Sequence, residues 1–173
     1  MTAAPVTLCF ALRDTPDGTE VLLGLKRTGF GLGKIVGIGG HVEPGETDAQ
    51  AVVREVFEET GLIVAEPDLS HAGLVEFVFP ARPEWNMSCR LFTTRRWDGE
   101  PAESREITPE WFSTTELPLE RMWQDAEHWL PPALSGETID VVVVLNDDNE
   151  TVASVRYPDE QGKGTQGAAG AQR

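Results

Sequence analysis

Three glutamates, Glu55, Glu58 and Glu59, stand at the i, i+3 and i+4 spacing that gathers side chains on one side of a helix. Like charges so placed destabilise a helix by roughly 0.2–0.5 kcal/mol per pair, so the cluster calls for something that offsets the repulsion. A hard divalent cation would do so. Carboxylate oxygens suit Mg²⁺ or Mn²⁺, and Mg²⁺ is usually held by a few carboxylates together with water and substrate phosphates. The chemistry implied is that of a polyphosphate site. The competing reading is an ordinary solvated helix face. Against it stands the longer pattern around the glutamates: Gly40, five residues, Glu46, seven residues, then Arg54-Glu55-Val56-Phe57-Glu58-Glu59-Thr60-Gly61-Leu62.

The elements that must position these groups follow from local sequence. Thr47 with Gln50 reads as a capping box and Gly61 as a left-handed C-terminal cap, which predicts a helix from Asp48 to Thr60. At about 100° per residue, Ala49, Val53, Val56 and Phe57 share one side, which should pack, with the glutamates opposite. Strands are expected at Val6 to Leu12, Glu20 to Lys26, Gly73 to Phe79, Met87 to Arg95 and, briefly, from Glu110 to Ser113. A terminal hairpin should pair Ile139 to Leu145 with Val152 to Tyr157 as an edge or capping element. The stretch Arg27 to Gly40 is rich in glycine, as suits a loop or irregular strand that lets backbone approach a ligand. Met122, Ala126 and Trp129 have helical spacing and predict a second helix within Leu119 to Leu134, stopped near Pro131-Pro132. Strands with two marked helices predict an α/β fold, a mixed β-sheet in an α/β/α sandwich.

Composition narrows the function. The 173 residues suit one domain, expected over residues 1–157, followed by a Gly-, Gln- and Ala-rich disordered tail over 158–173. Fourteen basic against 29 acidic residues give a net charge of −15, which disfavours a nucleic-acid polymer as partner but leaves a small anionic substrate possible where bound metal supplies positive charge. No apolar run approaches a membrane span and no secretory leader is apparent, so the expectation is a cytoplasmic protein without a membrane partner. Cys9 and Cys89 lie in apolar runs and read as buried free thiols.

The span from Gly40 to Leu62 resembles, at all nine defined positions, the signature of the Nudix hydrolases. That resemblance implies a loop-helix-loop metal site that hydrolyses a nucleoside diphosphate linked to another group, within the same α/β/α architecture. It implies that Glu55, Glu58 and Glu59 carry Mg²⁺ or Mn²⁺ with a backbone carbonyl near Gly39 or Gly40 as a further ligand. Arg54 is then a structural partner whose fork holds a carboxylate such as Glu46. Glu55 and Glu106 both remain candidates for the base that activates water.

A narrower resemblance runs from Thr7 to Tyr157. The segments Gly24 to Gly33, Phe77-Val78-Phe79, Glu106 to Phe112 and Met122 to Pro131 are similar to the oxidised-purine nucleoside triphosphatases of the MutT class. It implies hydrolysis of nucleotides such as 8-oxo-dGTP to the monophosphate and pyrophosphate. Phe30, Phe77, Phe79, Met87 and Trp123 would line a base pocket, Thr7 and Lys26 would contact ligand, and Asp125 would read the base edge. Phe77 and Phe79 share a strand face that serves core or pocket equally well. Two positions depart from the subgroup: Val36 stands where it has an asparagine that touches the base, and Ala126 where it has a second aspartate. An ionised Asp125 alone should retain guanine readout, with weaker activity on oxidised adenine nucleotides. The rival readings are a Nudix hydrolase of ADP-ribose or a dinucleoside polyphosphate, and a non-catalytic nucleotide-sensing module.

Overall fold

A computed structural model of the chain describes residues 3–158; the expected tail lies, but for its first residue, outside the described residues. Nine strands form one mixed sheet: β1 Ala4–Thr15, β2 Gly18–Lys26, β3 Ile35–Val36, β4 Ile38–His41, β5 Leu69–Val78, β6 Met87–Thr94, β7 Ile107–Ser113, β8 Ile139–Leu145 and β9 Val152–Arg156. The order is β3-β2-β1-β6-β5-β8-β9, with β4 pairing β1 and β7 pairing β2. Strand β1 is the hinge of this arrangement. Its first half runs parallel to β6 and antiparallel to β4, and its second half turns through a tight hairpin into β2.

Period-two alternation along these strands divides the core in two. Cys9, Ala11, Leu22 and Phe92 face helix α1, Asp48–Thr60, while Phe10, Leu12, Val21, Leu23 and Leu91 face the opposite side with Trp129, Leu130 and Ala133. Helical segments thus cover both faces of the sheet, the α/β/α layering expected. The two cysteines are buried, free and on opposite sides, and burial pushes the Cys9 thiol up to about 12.

The second helix differs from expectation. Leu119–Arg121 and Gln124–His128 are separate 3-10 turns, and α-helix resumes only over α2, Leu130–Leu134. Met122 and Trp123 between the two turns are extended, which breaks the α ladder. Pro131 and Pro132 open α2 instead of stopping a helix, because a proline at the first turn forfeits an N–H that has no helical partner. Met122, Ala126 and Trp129 are nevertheless buried together, so their spacing recorded a shared face and not a continuous helix. Strand β7 also begins earlier than expected, at Ile107, because it zips along β2 as far as Lys26.

Gly73 sits at a bulge in β5 where φ is +125°, and a Cβ there would overlap the Ile139 carbonyl of β8. Gly136 has φ +96° but faces open space. Gly73→Ala should therefore cost about 3 kcal/mol or more of stability, from clash added to strain, and Gly136→Ala about 1–2 kcal/mol, from strain alone. Denaturant unfolding of both variants checks this; equal losses would mean that β5 and β8 do not meet so closely.

Candidate active site

Helix α1 has the bounds its caps imply. Gln50 N–H donates to Thr47 Oγ1 at 3.0 Å, Thr47 N–H donates back to Gln50 Oε1 at 2.9 Å, and Gly61, at φ +81°, donates its N–H to the Phe57 carbonyl at 2.8 Å. The packing face is rotated from the one expected. Ala51, Val52, Val56 and Thr60 are buried along with Glu59, whereas Phe57 is 55% exposed and Ala49 and Val53 only half-buried. Burying Val52 and Val56 is worth roughly 1.5–3 kcal/mol each, which fixes the helix rotation. Glu55 and Glu59 then flank the apolar stripe instead of lying opposite it, and they point toward β4 instead of bulk water.

Arg54 organises the loop that precedes the helix. Its Nε and Nη2 donate to the two Glu46 oxygens at 2.7 and 2.9 Å, Nη1 to Glu55 at 2.9 Å and Glu58 at 3.0 Å, and Nη2 to the His41 carbonyl at 3.1 Å. One guanidinium therefore already offsets part of the repulsion among the glutamates. Several charge-assisted hydrogen bonds from one guanidinium outweigh the weak repulsion between like charges one helical turn apart, so Arg54 decides their arrangement. The fork holds the Glu46 carboxyl down at about 2, helped by the Glu43 N–H, and raises the Arg54 pKa further.

Glu59 gains no such partner. It is 5% exposed, accepts the Gly39 N–H at 3.1 Å, and burial, reinforced by Glu55 and Glu106, pushes it up to about 8. Burial likewise raises Glu55, against the pull of Arg54. Glycine is required where these groups meet the strand. A Cβ on Gly39 would overlap the Thr7 carbonyl, and one on Gly40 would lie 2.6 Å from the Glu55 carboxyl.

Glu55, Glu58, Glu59, Gly40 and Glu106 line one cavity of about 480 Å³, with Lys26 Nζ 3.9 Å from Glu106. Among the described residues no three acidic, His or Cys side chains already converge on a point, because Arg54 draws Glu55 and Glu58 to itself. The donors nevertheless fit a hard divalent cation: all are oxygens, Gly40 leaves room beside Glu55, and Glu59 is a buried carboxyl with no counter-charge in contact. Arg54 does not line this cavity and acts from behind it.

A second cavity, of about 320 Å³, adjoins the first, and Lys26, Gly39, Gly40 and His41 line both. All eight residues expected at the base pocket are on its wall: Thr7, Lys26, Phe30, Phe77, Phe79, Met87, Trp123 and Asp125. Phe30 stacks on Trp123 with centroids 5.1 Å apart, and Thr7 Oγ1 donates to the Gly40 carbonyl at 3.3 Å. Asp125 is buried and accepts the Trp129 indole N–H at 2.8 Å; burial raises its pKa and that bond opposes the rise. Val36 and Ala126 give the wall only carbon. Two contributions were missed from the sequence. Trp85 packs edge-on against Phe30 at 5.2 Å from a loop read only as a connection, its lone tryptophan being the available signal. Leu145, Asn149 and Glu150, from the β8–β9 hairpin, close one side of the pocket.

Carboxylates beside a glycine strand, an arginine tying the preceding loop to the helix, and a mixed sheet between helical layers define a metal-assisted phosphoanhydride hydrolase. Residues 3–132 match the family described as NUDIX domain, and the chain belongs to that family. Nudix hydrolases depend on divalent metal ions as a class. The sequence is 44% identical over 112 residues, 65% of this chain and 70% of the relative, to a protein of Danio rerio described as oxidized purine nucleoside triphosphate hydrolase. It is 37% identical over 79 residues, 46% of this chain and 57% of the relative, to the 8-oxo-dGTP diphosphatase of Escherichia coli K12. The fold superposes on a crystal structure of the MutT mutator protein of Bacillus halodurans with a TM-score of 0.72 at 26% identity, over 88% of this chain and 96% of that one.

The Glu46 pair makes a pH prediction. Its folded pKa, about 2, lies below the ordinary 4.5, so the pair stabilises the protein fully above about pH 4.5 and ceases to as pH falls toward 2. The stability gap between the native chain and Glu46→Gln should be widest near neutral pH and close across that window. Thermal unfolding of both proteins from neutral to acid pH checks this, and a gap independent of pH would assign the effect to something other than the ion pair.

Proposed function

We propose that this protein hydrolyses purine nucleoside triphosphates, including oxidised guanine forms such as 8-oxo-dGTP, to the monophosphate and pyrophosphate with Mg²⁺ or Mn²⁺, and so cleanses the cytoplasmic nucleotide pool. The observation that carries this is the shared wall of the two cavities. Lys26, Gly39, Gly40 and His41 border both the acidic pocket and the aromatic one, so a base held against Phe30 and Trp123 has its phosphates directed over Glu55, Glu58 and Glu59. The names of the zebrafish and Escherichia coli relatives support the same substrate class.

In this reading Glu55, Glu58, Glu59 and the Gly40 carbonyl hold the ion, which when bound neutralises phosphate charge and orients the attacking water. Lys26 reaches the phosphates from the wall between the cavities. The water loses its proton to Glu55 or Glu106, which face the same cavity; its oxygen bonds to phosphorus, and the phosphoanhydride oxygen leaves with pyrophosphate. Arg54 keeps the loop and helix in register. The aromatic walls hold the purine face, with stacking worth ~1–3 kcal/mol per base. Asp125, with one oxygen held by the Trp129 N–H, presents its other oxygen to the guanine edge as an acceptor.

The test is pyrophosphate release from 8-oxo-dGTP, dGTP and 2-oxo-dATP, and AMP release from ADP-ribose, all with Mg²⁺. The expected order places 8-oxo-dGTP first and 2-oxo-dATP well below it, and Glu59→Gln should reduce every rate by about 100-fold or more. Asp125→Asn should lower kcat/KM for 8-oxo-dGTP by about tenfold or more, because one acceptor facing the base becomes a donor. Turnover of ADP-ribose alone would replace the substrate, and no metal-dependent turnover would favour a sensor. Glu55→Gln and Glu106→Gln, compared for the loss of the acid limb of the pH profile, where the rate rises as the base deprotonates, separate the two candidate bases.

A further inference from the structure

Asn149 lies in the turn between β8 and β9, beyond residues 3–132 that match the family, and the reaction as derived gives it no task. Three observations single it out. It lines the aromatic cavity. Its φ is +58°, the one left-handed non-glycine residue among those described. Its Oδ1 is buried without a hydrogen-bond partner, again the one such side-chain atom among the described residues. An unpaired buried acceptor is costly, and native proteins carry few of them.

The turn is held firmly enough for that acceptor to be a fixed feature. Asp148 accepts the Glu150 N–H at 2.9 Å, and the Thr151 N–H at 2.8 Å and hydroxyl at 2.7 Å; the Asn149 N–H donates to the Asn146 carbonyl at 2.9 Å. The turn is also fastened to the pocket walls. Glu150 pairs with Lys34 at 3.3 Å, and Lys34 lies 4.6 Å over the Trp123 ring. The Val152 N–H donates to the side chain of Gln124, the residue before Asp125. Two opposed anchors, one on the glycine-rich loop and one on the segment that carries Asp125, therefore set the position of Asn149.

We propose that Asn149 is a specificity-determining residue of the base pocket, its Oδ1 accepting a hydrogen bond from an N–H of the bound purine. The inference rests on the substrate class argued above. It follows from a shortage of polar groups: Val36 and Ala126 offer the base only carbon, and one Asp125 oxygen is engaged by Trp129. A guanine nucleotide brings N–H donors at N1 and its exocyclic amine, and oxidation at C8 adds a further one at N7. An acceptor on a wall separate from Asp125 takes a donor that Asp125 leaves unmet.

The experiment compares the full chain with Asn149→Gly and Asn149→Asp on 8-oxo-dGTP and dGTP, with melting temperature as a second readout. Glycine accepts the left-handed backbone without strain and deletes the acceptor; aspartate keeps an acceptor at the same reach. Asn149→Gly should lower kcat/KM by about tenfold, mainly through KM, at unchanged melting temperature, the scale of one lost recognition bond. Asn149→Asp should recover part of that. A loss on both nucleotides assigns the exocyclic amine or N1, and a loss on 8-oxo-dGTP alone assigns N7. Unchanged kcat/KM in Asn149→Gly overturns the proposal, as does an Asn149→Asp no better than glycine, or a loss that merely follows melting temperature. If the unaltered chain does not turn over 8-oxo-dGTP or dGTP, it is the substrate reading that has failed.

Discussion

The arrangement of this site depends on a carboxyl group buried where a helix meets a strand. Taking a carboxylate out of water costs several kcal/mol unless hydrogen bonds or a counter-charge compensate. Glu59 has the Gly39 N–H and no cation in contact. That N–H is within reach only because Gly39 presses against the Thr7 carbonyl of β1, in a space that no Cβ could enter. Fixing α1 to β4 in this way sets Gly40 beside the Glu55 carboxyl and turns the Gly40 carbonyl to the Thr7 hydroxyl on the wall of the aromatic cavity. Val52 and Val56 supply the favourable burial that holds the carboxyl there. The energy of folding is thus spent on keeping a carboxyl without a counter-charge in a dry place, which is what an ion-dependent site needs before its ion arrives.

The protein's charge balance sharpens this requirement. With a net charge of −15 and an acidic cavity, a polyphosphate would be repelled unless cations stood at the right points. Arg54 is not one of them, since its guanidinium is engaged by Glu46, Glu55, Glu58 and the His41 carbonyl. It holds the scaffold. Lys26 is different: its contact with Glu106 is a loose 3.9 Å and it borders both cavities. Lys26 at the junction and Arg105, which lines the acidic cavity and has no ion pair among the described residues, are therefore the basic residues placed to meet phosphate, and a bound metal would add to their charge.

Much of this was legible in the sequence, for reasons that differ by element. The bounds of α1 follow from side-chain-to-backbone caps, which are local and survive any tertiary context. Its buried face was misread because Glu59 packs as part of the apolar stripe while Phe57 does not, and a hydrophobicity pattern cannot foresee a carboxyl kept inside for its chemistry. The segment from Leu119 to Leu134 was misread for the opposite reason. Its apolar spacing was genuine, but the backbone between Met122 and Trp123 is extended, and no periodic signal distinguishes a helix from successive turns that present the same face. The residues now seen on the wall of the aromatic cavity were named through resemblance; Asn149 on that wall, and Trp85 packed on Phe30, were not, because they come from loops whose placement is set only by long-range packing.

That last difference bears on how the molecule divides its labour. The half that carries the acidic cavity is built from β1, β4 and α1, where a shift of one residue would displace Gly39, Gly40 and Glu59 together. One wall of the aromatic cavity is built from a turn that satisfies its own backbone through Asp148 and meets the rest through Glu150 and the Val152 N–H. The acidic cavity is consequently tied to the packing of helix on strand, whereas the aromatic cavity takes one wall from a surface turn.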